Sequence, residues 1–174
     1  RKHRCSRRNS MCHSIYSNSN HQSGRSHNHR TADSQTSGTS CMRLRPHHLL
    51  CTQSYSGKGY SDAFVEQMNA LTHKLRTEEA TPIELVFSTD DLCKCCPHMQ
   101  GVDLCDTNEK VKSYDEKVVK YFNLEEKTYI YQEITREIRE KMTPEILEDI
   151  CGNCGWYPVS ACNKVLAGAD NSQK

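Results

Sequence analysis

The sequence predicts a mainly α domain with a minor β element, an α+β fold in which cysteine-rich, metal-binding loops join amphipathic helices. Three observations carry this. Apolar residues recur at helical spacing in several segments between residues 61 and 150, and alternate convincingly in only one. Eleven of the 174 residues are cysteine, and eight of them lie at or after Cys51 in regular spacings. Only 35% of the residues are hydrophobic, a thin supply for a core, so cross-linking by metal would contribute substantially to stability.

The net charge of +1 conceals two unlike segments. Residues 1–41 carry +6, with seven basic side chains against Asp33, and ten serines. So polar a stretch cannot bury enough surface to offset the entropy of ordering its backbone, and a disordered basic Ser/His-rich tail is expected. It has too little Lys/Arg density for a nucleic-acid arm, with Tyr16 its one aromatic, and no nucleic-acid partner is expected. His3, His13, His21, His27 and His29 have no consistent ligand spacing. Position 1 is Arg and Met42 opens a stretch of different character, so a segment outside the native protein is the other reading of this tail. Residues 42–174 carry −5 and form the expected helix-rich domain. Nowhere do about 18 apolar residues run together, and no apolar signal-peptide core follows the basic start, so a cytoplasmic protein without a membrane partner is expected.

Within 42–174, Arg45-Pro46-His47-His48-Leu49-Leu50-Cys51 reads as a short helical turn. Ser61 is a good N-cap for a helix to about residue 76, with Phe64, Val65, Met68, Leu71 and Leu75 as its apolar stripe. Ile83–Phe87 alternates as a strand and needs a partner, for which Thr128–Tyr131 is compatible. Helical spacing returns through Val111, Tyr114, Val118 and Phe122, and again through Ile134, Ile138 and Met142. Thr143-Pro144-Glu145 caps a last short helix through Ile150.

The cysteines carry the chemistry. Cys93-x2-Cys96-x8-Cys105 and Cys151-x2-Cys154-x7-Cys162 share one layout, and Cys51 stands alone upstream. A Cys-x2-Cys spacing lets one turn present two thiolates to a single centre, and a third from the next loop encloses it. Structural disulfides suit secreted scaffolds and are disfavoured here. Zinc takes four ligands, but the two pairs are 54 residues apart, beyond the usual ribbon spacing, so zinc stays as the alternative. Iron–sulfur clusters take thiolates, four for a cubane, and tolerate a remote fourth ligand. The expected metal set is Cys51, Cys93, Cys96, Cys105, Cys151, Cys154 and Cys162, with Cys95 and His47 as further candidates, holding one or two 4Fe-4S clusters. His47 and His48 precede Cys51 by four and three residues, which places them near its face on a helical turn. They read as helix-start histidines bonded to backbone or carboxylates, as a ligand, or as a Cys–His pair for which no third, orienting group is identifiable.

Met42–Cys51, Gly59-Tyr60-Ser61 with Phe64, the Cys93/Cys96-Pro97 group, Cys105 and the Cys151-x2-Cys154-x-Trp156-Tyr157 ending resemble domain of unknown function family 1284, small bacterial and archaeal proteins. The resemblance spans nearly all of residues 42–167. It implies iron–sulfur binding and assigns no activity. The expectation is therefore an iron–sulfur protein for electron transfer or redox sensing, its acidic domain suited to a redox partner protein. A zinc-stabilised interaction module without catalysis is the alternative. An enzyme using the cluster with His47 and His48 is a third reading, for which the sequence offers no substrate.

Overall fold

The computed structural model describes residues 41–166, and the expected tail lies outside the described residues except for Cys41. Cys41 is 2% exposed, its Sγ near the Pro82 carbonyl, so this last residue of the expected tail is packed with the domain. Among the described residues the architecture is α+β: a three-stranded sheet, a separate two-stranded hairpin and six α-helices.

Strand β1 (Met42–Leu44) pairs in parallel with β2 (Pro82–Leu85), placing Met42 opposite Ile83 and Leu44 opposite Leu85. On the other edge β5 (Thr128–Ile130) runs antiparallel to β2, with Ile83 opposite Tyr129. The anticipated strand therefore sits centrally, ending two residues earlier than its alternation suggests, because Phe87 is exposed and its N–H bonds the Glu126 carboxylate. Its expected partner is present; Tyr131 already belongs to the next helix. β1 was not anticipated, since three residues are too few to show a period.

The helices follow their periodicities. α1 (His48–Ser54) buries Leu49 and Leu50, and α2 (Asp62–Thr77) buries Phe64, Met68 and Leu75. Ser61 caps α2 by accepting the Phe64 N–H. α3 (Asn108–Phe122) and α4 (Tyr131–Lys141) bury Val118, Phe122, Ile134 and Ile138. α5 (Pro144–Cys151) starts on Thr143, whose hydroxyl accepts the Ile146 N–H, with Pro144 in the first turn where no N–H is needed. α6 (Cys162–Leu166) packs on α1. These apolar faces share one core with the sheet, from Met42 to Leu166. No helix among the described residues is long and apolar enough to cross a membrane.

Residues 93–107 differ. A 3-10 turn over Cys93–Cys95 leads into the hairpin of β3 (Met99–Gly101) and β4 (Leu104–Cys105). Asp103 adopts a left-handed φ of 58° at the hairpin tip. None of residues 93–107 is buried.

Candidate metal centre

The candidate centre draws its thiols from three helices and one turn. Cys51 lies within α1, Cys151 ends α5, and Cys162 begins α6. Cys154 is set by the turn after α5, its N–H donating to the Cys151 carbonyl at 2.8 Å. Gly152 enables that turn: a Cβ there would meet the Glu148 carbonyl oxygen at 2.5 Å. All four sulfurs are free thiols, and all four residues line one cavity of about 150 Å³, together with His47 and His48. The Ser160 hydroxyl donates to the Cys162 sulfur at 2.8 Å, and the Ser54 hydroxyl lies 3.2 Å from it.

Two buried carboxylates fix the histidines. Asp115 of α3 accepts Arg45 Nε and its terminal nitrogen on Oδ2, at 2.8 and 2.6 Å. Its Oδ1 accepts the His47 backbone N–H at 3.0 Å and contacts His47 Nδ1 at 2.7 Å. Asp90 contacts His48 Nδ1 at 2.6 Å and accepts the backbone N–H groups of Arg45, Leu92 and Cys93. Burial would raise both carboxyls; the histidine contacts, with Arg45 for Asp115 and backbone N–H groups for Asp90, overcome it and hold them below the usual carboxylate range. An ionised carboxylate only accepts, so each Nδ1 carries the proton it donates. Burial, then the adjacent His48, lowers the pKa of His47, which makes it the neutral imidazole with its lone pair on Nε2. The rings are 4.3 Å apart.

These are the carboxylate-bonded, helix-start histidines that the sequence allowed. The orienting groups that could not be identified beforehand are Asp115 and Asp90. Asp115 sits in the charged run Tyr114-Asp115-Glu116-Lys117, where nothing local distinguishes it from a surface acid. Tyr114, on the same cavity, has a buried hydroxyl without a hydrogen-bond partner.

Burial first, and the neighbouring thiols next, push the Cys51 thiol well above its ordinary value and the Cys151 thiol up to about 12. Crowded thiols that resist ionisation one by one are what a cation relieves, because binding metal expels their protons. The donors are soft, which suits zinc or iron–sulfur and not a hard cation. A tetrahedral zinc with Zn–S of about 2.3 Å would hold its sulfurs roughly 3.8 Å apart. Among the described residues, the group of three or more ligand atoms lying within 4.8 Å of one another is His48, Asp90 and Cys93. The cavity thiols are more widely spread. In the His48 group, Asp90 already uses both oxygens on four donors, so it positions His48 and the Cys93 turn and has no ready lone pair for an ion.

Of the expected ligands, Cys51 joins Cys151, Cys154 and Cys162, which the sequence could not assign to either triplet. Cys93, Cys96 and Cys105 are free thiols outside this cavity, on the 3-10 turn and hairpin, with the Cys93 sulfur beside His48 and Asp90. Cys95 lies inside that turn and is not one of these free thiols. His47 lines the cavity rather than the hairpin.

A family model described as "Protein of unknown function (DUF1284)" matches residues 59–160. The chain belongs to this family. Cys93, Cys96, Cys105, Cys151 and Cys154 fall inside the DUF1284 match, whereas Cys51 and Cys162 flank it. No curated protein and no solved structure matches the chain. This DUF1284 member is thus cysteine-rich, with a donor set suited to metal binding.

Proposed function

We propose that this protein is an iron–sulfur protein of electron transfer or redox sensing, with a four-iron cluster held by Cys51, Cys151, Cys154 and Cys162. One observation carries the reading: four free thiols from α1, α5, the turn after it and α6 surround a single cavity, spaced more widely than one ion requires. Bound there, a cluster supplies reversible one-electron chemistry. The chain's own groups set its surroundings. Leu50 and Ile150, each 1% exposed, line the cavity and limit water. Ser160 holds a hydroxyl on the Cys162 sulfur, where it stabilises negative charge and so favours the reduced state. Arg45, Asp115 and His47 form a fixed polar network that anchors the start of α1 and hence Cys51. The acidic chain beyond Met42 suits a basic redox partner in the cytoplasm.

Purifying the full chain without oxygen, and measuring iron, acid-labile sulfide, zinc and the visible spectrum, tests this reading. At least four irons and four sulfides per chain are expected. A colourless protein with stoichiometric zinc and no sulfide would replace the cluster by a zinc-stabilised interaction module.

A further inference from the structure

We propose that the Tyr114 hydroxyl is a built-in hydrogen-bond donor to the cavity cluster, its acceptor being an inorganic sulfide of that cluster. The inference rests on the four-iron reading above and gives a role to a side chain which that reading leaves unused.

The Tyr114 side chain ends in an orphaned donor. It lines the cavity of Cys51, Cys151, Cys154 and Cys162, its hydroxyl is buried, and no acceptor among the described residues takes the proton. A buried donor without a partner costs free energy, so such a group needs a physical reason to be there. The chain's own groups supply none. The His47 ring meets Tyr114 edge-on at 6.0 Å, yet neither its Nε2 nor any of the four sulfurs accepts from the hydroxyl. The acceptor therefore belongs inside the ring of thiols. A four-iron cluster carries sulfides there, whereas a single zinc ion would add no acceptor of its own.

The donor is held from both sides. One residue on, Asp115 binds Arg45 and His47 at the start of α1. On the next turn Lys117 donates to the Asp149 carbonyl and carboxylate of α5, at 2.5 and 3.0 Å. Helix α3 is thus fastened to the two helices that deliver Cys51 and Cys151, and Tyr114 lies beside both ties. Burial first, then the sulfurs of Cys154, Cys151 and Cys51, push the phenol above its ordinary value, so it keeps the proton it donates. A hydroxyl aimed at cluster sulfur stabilises the added negative charge of the reduced state and raises the potential. Tyr114 does this from α3, while Ser160 acts on the Cys162 sulfur from the residues before α6.

Tyr121 is the contrasting phenol of the same helix. Two turns on, its hydroxyl donates to the Asp149 carboxylate at 3.1 Å, and the residue is 41% exposed. It is satisfied by the chain itself and makes a matched control.

The test compares Tyr114→Phe and Tyr121→Phe in the anaerobically purified full chain, with iron and sulfide content measured throughout. In urea unfolding of the metal-free chain, Tyr114→Phe is expected to be at least as stable as wild type, because it removes an unpartnered hydroxyl, and Tyr121→Phe no more stable than wild type. In the loaded chain, Tyr114→Phe is expected to lower the reduction potential and to release iron to a chelator about tenfold more readily, with Tyr121→Phe unchanged. Pulsed electron paramagnetic resonance of the reduced wild type in deuterated water should show a coupled exchangeable deuteron that Tyr114→Phe removes. A wild-type cluster without that deuteron, or a fully loaded Tyr114→Phe chain at the wild-type potential, would overturn the inference and leave the cluster standing. A clear loss of stability in metal-free Tyr114→Phe would also overturn it, by showing that the chain itself satisfies the hydroxyl. Wild-type protein without acid-labile sulfide would instead sink the reading on which it rests, and the acceptor with it.

Discussion

The two cysteine regions are built in opposite ways. Around the cavity, three of the four thiols are carried by a helix whose apolar face is already in the core: Leu49 and Leu50 beneath Cys51, Leu147 and Ile150 beneath Cys151, Leu166 beyond Cys162. At the hairpin, the same residue type hangs on backbone hydrogen bonds with no buried side chain between Cys93 and Thr107. One site is preorganised by packing and would bind metal into an existing frame. The other is framed by polar contacts instead: the buried Asp90 carboxylate accepts the Leu92 and Cys93 N–H groups, and the Thr89 hydroxyl accepts the Asp103 N–H at the hairpin tip.

This contrast can be broken most forcefully at Asp115. Asp115→Ala strands the buried Arg45 guanidinium and is expected to cost about 3–5 kcal/mol, measured by urea unfolding of the metal-free chain. Next come paired truncations. Leu147→Ala, at a fully buried position of α5, should cost about 2–5 kcal/mol, whereas Leu104→Ala in the hairpin should stay within about 0.5 kcal/mol. Equal losses at the two positions would refute the difference in construction.

Acidity sharpens the comparison from the cavity side. Asp90 and Asp115 titrate below the ordinary carboxylate value of 3.8, so their contribution is complete above it and is lost as pH falls toward the folded values. His47, also lowered, adds a loss that begins as pH falls through its ordinary 6.5. The thiols act in the other direction. Cys51 and Cys151 hold protons in the folded, metal-free chain that the unfolded chain releases, so stability falls again as pH rises above 9.0. Thermal melting of metal-free protein across this range should show a maximum between the two losses; a flat profile would contradict the buried network. Thr143→Ala, which removes the cap of the helix that delivers Cys151, should cost about 1 kcal/mol in the same melt. The smallest expected effect is at Ser160→Ala, which removes a donor from the Cys162 sulfur and should lower the reduction potential without changing the iron content.

Much of the fold was legible because its signals are local. The stripe Phe64, Met68 and Leu75, the Ser61 and Thr143 caps and the central strand all lie within a few residues of the structure they dictate. The two cysteine triplets were legible for the same reason. What escaped depends on distant chain segments. β1 is only three residues long and is defined by pairing with β2, and Cys51 joins Cys151 across 100 positions. Asp90 and Asp115 look like ordinary acids until Arg45, His47 and His48 are folded against them. The hairpin was missed because Met99–Cys105 has no alternating apolar pattern.

The sequence distance between Cys51 and its partners also orders events in time. The cavity cannot exist until the chain has been made through Cys162, because α6 supplies its last sulfur and packs directly on α1. Until then Cys51 waits as an exposed thiol, and closing so long a loop is slow next to forming the helices themselves. The hairpin triplet spans only residues 93–105 and is complete much earlier in synthesis. A nascent chain would therefore complete its two groups of thiols in succession, hairpin first and cavity last.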